Sequence, residues 1–101
     1  MKKKSEANKE DKIQTLHPHG KRGVRIDKNK YEIMRAAILR ALKGGRGLTH
    51  AELFQAAESL LPTGFTGSTM WYFETVKLDL EARRLIERLT DTDPHRYRIK
   101  I

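Results

Sequence analysis

The stretch from Ser68 to Ile86, STMWYFETVKLDLEARRLI, contains the change of periodicity that decides the fold. At 100° per residue, one stripe of its helical wheel carries the side chains expected to face the core, namely Thr69, Phe73, Val76 and Leu80. Leu85 and Ile86 no longer follow that period. The stretch therefore predicts a core-facing helix that ends at about Arg84 and runs directly into a β-strand.

The spacing of Val76, Leu80, Leu85 and Ile86 around LEARRLIE carries a resemblance to a known family. It is similar to the segment of winged helix-turn-helix domains in which the recognition helix ends and the first wing strand begins. The resemblance covers residues 24–101. It implies an α+β fold, a three-helix winged helix-turn-helix with a C-terminal β-hairpin wing, and a bacterial transcription regulator that binds DNA.

The first helix is expected at about residues 28–43. Asp27 is a good N-cap, and Gly44 and Gly45 form a stop signal after a run of apolar residues at helical spacing. Residues 24–27 alternate between apolar and polar, which is typical of a short strand or of an extended lead-in to that helix.

The second helix is expected at about residues 50–61. Thr49 and Glu52 stand at the spacing of a capping box, and Pro62 cannot continue a helix. Its buried stripe is expected to consist of Leu53, Phe54, Ala57, Leu60 and Leu61. Residues 47–48 can supply a very short strand between the first two helices.

Residues 85–89 and 96–101 flank a loop rich in turn-forming residues, which predicts a β-hairpin. Apolar and basic residues alternate along the second of these strands, so one face is expected to pack on the core and the other to be basic. The loop itself carries Asp91 and Asp93, whose charge opposes contact with phosphate.

The net charge of +8 is distributed unevenly along the chain. Residues 1–30 contain ten Lys/Arg against four Asp/Glu, a net +6, whereas residues 31–101 contain eleven against nine, a net +2. We expect the charge-rich, aromatic-free residues 1–20 to form a disordered basic tail, and residues 21–101 to form one winged-helix domain. Such a tail serves either as an electrostatic arm on nucleic acid or as a solubilising segment.

The composition also narrows the class of protein. The chain contains no cysteine, which excludes disulfides and cysteine-based zinc sites. No apolar run approaches the roughly 18 residues of a membrane span, and no apolar signal region follows the basic N-terminus. We therefore expect a cytoplasmic protein with no membrane partner.

No catalytic constellation is present in the sequence. The four histidines are scattered, and His17 and His19 have no third metal ligand near them in sequence. The serines occupy no nucleophile-elbow motif, and the glycines at 44–47 are not followed by the Lys-Ser/Thr pair of a phosphate-binding loop. We expect a protein that is not an enzyme and that binds no metal and no cofactor.

Two functions remain open, and the first is DNA binding. The resemblance implies that the third helix enters the major groove and that the wing contacts phosphates. The nucleic-acid-binding residues it implies are Ser68, Thr69, Tyr72, Thr75, Lys77, Arg88, Arg96 and Arg98.

The second function is protein interaction or homodimerisation through the opposite face of the same helix. That face carries Trp71, Glu74 and Leu78. Because Trp71 and Leu78 are seven residues apart, about two helical turns, they lie on one stripe away from the core. That stripe requires cover, either from the lead-in segment or the C-terminal strand of the same chain, or from a partner protein.

Overall fold

The computed structural model describes residues 11–100, which form three helices and five short strands. In chain order these elements are β1 (Lys12–Gln14), β2 (Arg25–Asp27), α1 (Lys28–Ala41), β3 (Leu48–Thr49), α2 (His50–Ser59), α3 (Thr69–Ala82), β4 (Ile86–Leu89) and β5 (Arg96–Ile99). The strands make two antiparallel sheets, one with the order β1-β2 and the other with the order β3-β5-β4. The expected α+β class is confirmed.

Helices α1 and α2 begin at the capping residues that the sequence indicates, and α3 begins after Ser68. Asp27 and Ser68 each accept a hydrogen bond from the backbone N–H three residues further on, and Thr49 and Glu52 form the reciprocal capping box. Each helix ends two residues before its expected end. The remaining residues form the C-terminal cap and turn, which satisfies carbonyl groups without a further helical turn.

The core lies between the three helices and the inner faces of the sheets. Its members are Ile26, Tyr31, Met34, Ala37, Ile38, Leu42, Leu53, Ala57, Phe73, Val76, Leu80, Ile86 and Tyr97. The predicted stripe of α3 is confirmed at Phe73, Val76 and Leu80, which are all fully buried. The expected burial of Leu60 is wrong, because α2 ends at Ser59 and the side chain of Leu60 is exposed.

A hairpin formed by β1 and β2 precedes the first helix. Ile13 lies opposite Ile26 in the register, which places both on the face toward the core. Beyond β1, the N–H and hydroxyl of Thr15 both donate to the carbonyl of Val24, at 2.8 and 3.0 Å. A Cβ on Gly23 would lie 2.1 Å from the carbonyl oxygen of Thr15, so this close approach requires glycine.

This hairpin changes the expected domain boundary. The expectation of a disordered tail over residues 1–20 does not hold for residues 11–20, because residues 11–15 pair with the strand before α1 and its flanking residues, and Leu16 bonds to α3. The physical reason is that Ile13 packs on the core and Thr15 is buried, while the neighbouring strand supplies backbone hydrogen bonds. Residues 1–10 lie outside the described range.

Helix α3 ends in a Schellman motif that holds Arg84 in the left-handed region, with φ of 64°. The N–H of Arg84 donates to the carbonyl of Glu81, and the N–H of Leu85 donates to that of Leu80, both at 3.0 Å. Glycine is usual at this position because a Cβ is disfavoured there. The turn allows β4 to begin at Ile86.

We predict that Arg84→Gly stabilises the chain by about 0.5–1 kcal/mol, because it relieves the left-handed conformation of a residue with a Cβ. Chemical denaturation of the variant measures this directly. Arg83→Gly is the matched control, since Arg83 has φ of −83° and hydrogen-bonds to Asp79. Arg83→Gly is expected to destabilise, and stabilisation by both changes would contradict the explanation.

Candidate nucleic-acid interface

Helix α3 lies between two β-hairpins. We call β1, β2 and their loop the N-terminal hairpin, and β4, β5 and their loop the C-terminal hairpin. On one side of α3, the Nζ of Lys77 lies 4.3 Å from the ring centroid of Tyr97 in β5. On the other side, the N–H of Leu16 donates to Asp79 at 2.8 Å. The strip of α3 that remains exposed carries Met70, Trp71 and Glu74.

Asp79 connects α3 to the N-terminal hairpin and to α1. Its fully buried carboxylate accepts hydrogen bonds from the Leu16 N–H, from the Tyr31 hydroxyl and from Nε of Arg83. Burial and the hydrogen bond to Asp79 raise the pKa of Tyr31 to about 12. The same carboxylate raises the pKa of Arg83 through its hydrogen bond. The three hydrogen-bond donors replace the hydration that the Asp79 carboxylate loses on burial, so the fold tolerates this buried group.

A second charged network joins α3 to the C-terminal hairpin. Lys77 is 4% exposed and its Nζ lies 3.1 Å from a carboxylate oxygen of Glu81. The guanidinium of Arg88 lies 3.3 Å from the other Glu81 oxygen, and both cations lie over the ring of Tyr97. Lys77 is therefore buried and engaged within the fold, which corrects its expected place among the nucleic-acid contacts.

The other cations expected to contact phosphate are also paired. The guanidinium of Arg96 lies 3.5 Å from Glu52 and donates to the carbonyl of Gly47 at 3.2 Å. Nε of Arg98 lies 2.7 Å from Glu87, directly across the β4-β5 ladder. The arginines that alternate along β5 thus face carboxylates of the same chain.

The expected base-reading residues at the start of α3 have partners as well. Ser68 caps the helix, and the hydroxyl of Thr69 donates to Glu58 at 3.2 Å. The ring of Tyr72 packs edge-on against Phe65, with 5.5 Å between centroids, and Nζ of Lys30 lies 5.2 Å from it. These side chains hold α3 against its neighbours.

The middle of α3 faces the N-terminal hairpin. Thr75 and Leu78 line a cavity of about 150 Å³, whose other walls are residues 15–17 and 22–24. Leu78 is half-buried, so part of the second stripe finds cover within the same chain. Trp71 keeps 45% of its surface exposed.

The basic surplus of the described residues lies in their first part. Residues 11–46 contain ten Lys/Arg against three Asp/Glu, a net +7, whereas residues 47–100 contain seven against eight, a net −1. None of the ten forms a salt bridge within residues 11–100. Six of the later seven do: Lys77, Arg83, Arg88, Arg96, Arg98 and Lys100. Apart from Arg84, the cations of residues 11–100 that form no salt bridge within that range therefore belong to the N-terminal hairpin, α1 and the turn after it.

A family model described as a family of unknown function (DUF6958) matches residues 12–97. The chain belongs to the DUF6958 family. The matched region begins at the first residue of β1 and ends within β5, so it includes the N-terminal hairpin and all three helices. No match was found among curated proteins or among solved structures.

Residues 11–100 of the DUF6958 chain contain neither a metal-binding group nor a membrane-spanning helix. No three His, Cys, Asp or Glu side chains of this region are grouped so that they could hold a metal ion. None of the helices in the same region has the length and apolar character needed to cross a bilayer.

We predict that Tyr31→Phe lowers the stability of the DUF6958 chain by about 1–3 kcal/mol at neutral pH, because Asp79 loses a buried donor. The pKa of Tyr31 is raised from 10.0 to about 12, so its stabilising effect is complete below pH 10 and is lost as the pH rises toward 12. The variant should lack this part of the alkaline loss of stability.

Denaturant titrations between neutral pH and pH 12 test this prediction, with Tyr72→Phe as the control because Tyr72 is half-buried and does not bond to Asp79. Parallel alkaline profiles for the wild type and Tyr31→Phe would contradict the assignment.

Proposed function

We propose that the DUF6958 chain is a winged-helix DNA-binding protein in which α3 and its flanking hairpins face the duplex. The element order supports the proposal: a short strand stands between the first two helices, and a hairpin follows the third. The strand order β3-β5-β4, which brings that short strand beside the last strand, agrees with the winged-helix resemblance. The proposal implies a cytoplasmic protein in a bacterium.

The charge of residues 11–46 is the observation that carries the proposal. Ten cations that form no salt bridge within residues 11–100 give the N-terminal hairpin, α1 and the turn after it a positive field. A DNA backbone offers such cations a high density of negative charge, and contact with it releases condensed counterions. The cations of α3 and β5 contribute less, because carboxylates of the same chain already neutralise them.

The exposed strip of α3 supports a complex in which phosphate contacts dominate over base reading. Met70 and Trp71 offer apolar contact to thymine methyl groups, and Glu74 can accept a hydrogen bond from cytosine. The strip carries no Lys or Arg, the side chains that most often read guanine. Regulation of transcription would then depend on modest discrimination between DNA sequences. Half-buried Thr75, beside the strip, is a further candidate for contact with a base.

The prediction is a steep salt dependence of binding to mixed-sequence duplex DNA. About three to five phosphate contacts give a log–log slope of about −3 to −4.5. Fluorescence anisotropy at several salt concentrations measures the slope, and Thr75→Ala should change the preference between sequences without changing the slope. Absence of any duplex binding at about 50 mM salt would end the DNA proposal.

Protein association through α3 is the second candidate function. Trp71 is 45% exposed and its neighbour Met70 is 39% exposed, which is unusual for side chains of this size on a helix with a packed inner face. Together with Glu74 and the half-buried Leu78 they form an apolar, acidic-edged face that matches the anchors of a protein interface better than those of a phosphate contact.

If a protein or a second copy of the chain covers this face, Trp71→Ala should weaken the association by at least about 30-fold, the effect of losing an interface anchor of about 2 kcal/mol. Sedimentation over a range of protein concentrations measures the self-association of the wild type and of the Trp71→Ala variant. Leu60→Ala is the control, since Leu60 is 37% exposed but lies outside α3. A monomeric wild type, or equal effects of both changes, would reject self-association through this face.

A further inference from the structure

We infer that the N-terminal hairpin, and not the C-terminal hairpin, supplies the main phosphate contacts beside α3. The inference rests on the proposed DNA binding and assigns its backbone-contacting element. The partner is the phosphate backbone of duplex DNA, recognised without regard to sequence.

The two hairpin loops have opposite charge. The loop between β1 and β2, residues 15–24, contains Lys21 and Arg22 and no acidic residue. The loop between β4 and β5, residues 90–95, contains Asp91 and Asp93 and neither Lys nor Arg. A phosphate that approaches α3 is therefore attracted by the first loop and repelled by the second.

The pairing of the strand cations leads to the same assignment. Arg88, Arg96 and Arg98 of the C-terminal hairpin each face a carboxylate, so contact with DNA would exchange one anionic partner for another. Lys21 and Arg25 are exposed and form no salt bridge within residues 11–100. Their contact with phosphate is a net gain of an ionic interaction.

The position of the N-terminal hairpin beside α3 is fixed by specific contacts. The Leu16 N–H bonds to Asp79 at 2.8 Å, and Nη2 of Arg83 lies 3.5 Å from the carbonyl oxygen of Gln14. Arg22 lines the cavity that Thr75 shares with the hairpin loop, so this cation lies next to the middle of α3. Phosphates at the edge of a groove that holds α3 would come within its reach.

Side-chain direction also favours the hairpin. Because Ile13 and Ile26 face the core, the alternate positions Lys12, Gln14 and Arg25 face away from it. All three are exposed. The close approach of Gly23 to Thr15 and the hydrogen bonds between Thr15 and Val24 stiffen the loop end, so little ordering is required when DNA binds.

Two double variants of the full chain, which remove the same amount of charge, test the inference. Lys21→Ala with Arg22→Ala changes the N-terminal hairpin, and Arg96→Ala with Arg98→Ala changes the C-terminal hairpin. Each phosphate contact contributes about −0.9 to the slope of log affinity against log salt concentration. We therefore expect the first double variant, which removes two contacts, to make this slope less negative by about 1.8. Its affinity at about 50 mM salt should fall about tenfold or more, whereas the second should change affinity less than about threefold.

A second pair of variants does not depend on the folding of β5. Asp91→Asn with Asp93→Asn removes two negative charges from the C-terminal loop, and we expect affinity to rise less than about threefold. Lys21→Glu with Arg22→Glu should abolish measurable binding at about 150 mM salt. Far-UV circular dichroism and melting temperatures establish that each variant is folded.

The outcomes are separable. Equal slopes for the two alanine double variants, a larger effect of the Arg96 and Arg98 changes, or a large gain from Asp91→Asn with Asp93→Asn would overturn the assignment to the N-terminal hairpin. In those cases wild-type binding to DNA still stands. Failure of the wild type to bind duplex at about 50 mM salt would instead reject the proposed function and the inference with it.

Discussion

The buried carboxylate of Asp79 is the interaction on which the arrangement of the other elements depends. An ionised group without solvent is tolerated only if hydrogen bonds replace its hydration, and here the donors come from the N-terminal hairpin, from α1 and from the end of α3. Removing one of these donors costs about 1–3 kcal/mol, a sizeable part of the roughly 5–15 kcal/mol that stabilises a domain. The hairpin therefore cannot leave α3 without exposing or orphaning this charge.

The two charged networks on α3 leave the cations of the two hairpins in different states. Asp79 fixes the N-terminal hairpin through a backbone N–H, so the basic side chains of that hairpin are not used for docking it. Glu81 fixes the C-terminal hairpin through Lys77 and Arg88, so the cations there already have partners. The basic side chains of the N-terminal hairpin, on one side of α3, are thus left without carboxylate partners. Those of the C-terminal hairpin, on the other side, are neutralised. The difference follows from which chemical groups hold each hairpin in place.

Local features were predictable because they depend on residues close in sequence. The N-cap at Asp27, the capping box at Thr49 and the core stripe of α3 all involve groups within a few residues or within one helical period. Strand β2 was one of the two alternatives that the alternation of residues 24–27 left open, whereas β1 was missed because three residues show too little alternation to stand out from a charged segment. A signal was present in Gly23-Val24 and in Ile13, but it required the partner strand to be recognised.

For the candidate site, the sequence indicated which residue types are present, and the fold determined whether each side chain is paired, buried or exposed. Arg96 and Arg98 were correctly expected on one face of the last strand, yet their pairing with Glu52 and Glu87 joins residues that the sequence separates. Lys77 was expected at the surface of α3, and the ring of Tyr97 covers it.

The α+β class, the starts of the first two helices, the core face of α3 and the excess of positive charge all follow from local sequence, because periodicity, capping and charge are properties of nearby residues. Which cations are free to bind an anion depends instead on how distant parts of the chain pack together. The salt bridge of Arg96 with Glu52 joins two separate elements, and the bond from Leu16 to Asp79, which holds the N-terminal hairpin beside α3, joins residues 63 positions apart. Whether a cation is paired, buried or exposed depends on such distant partners, and no local pattern specifies them.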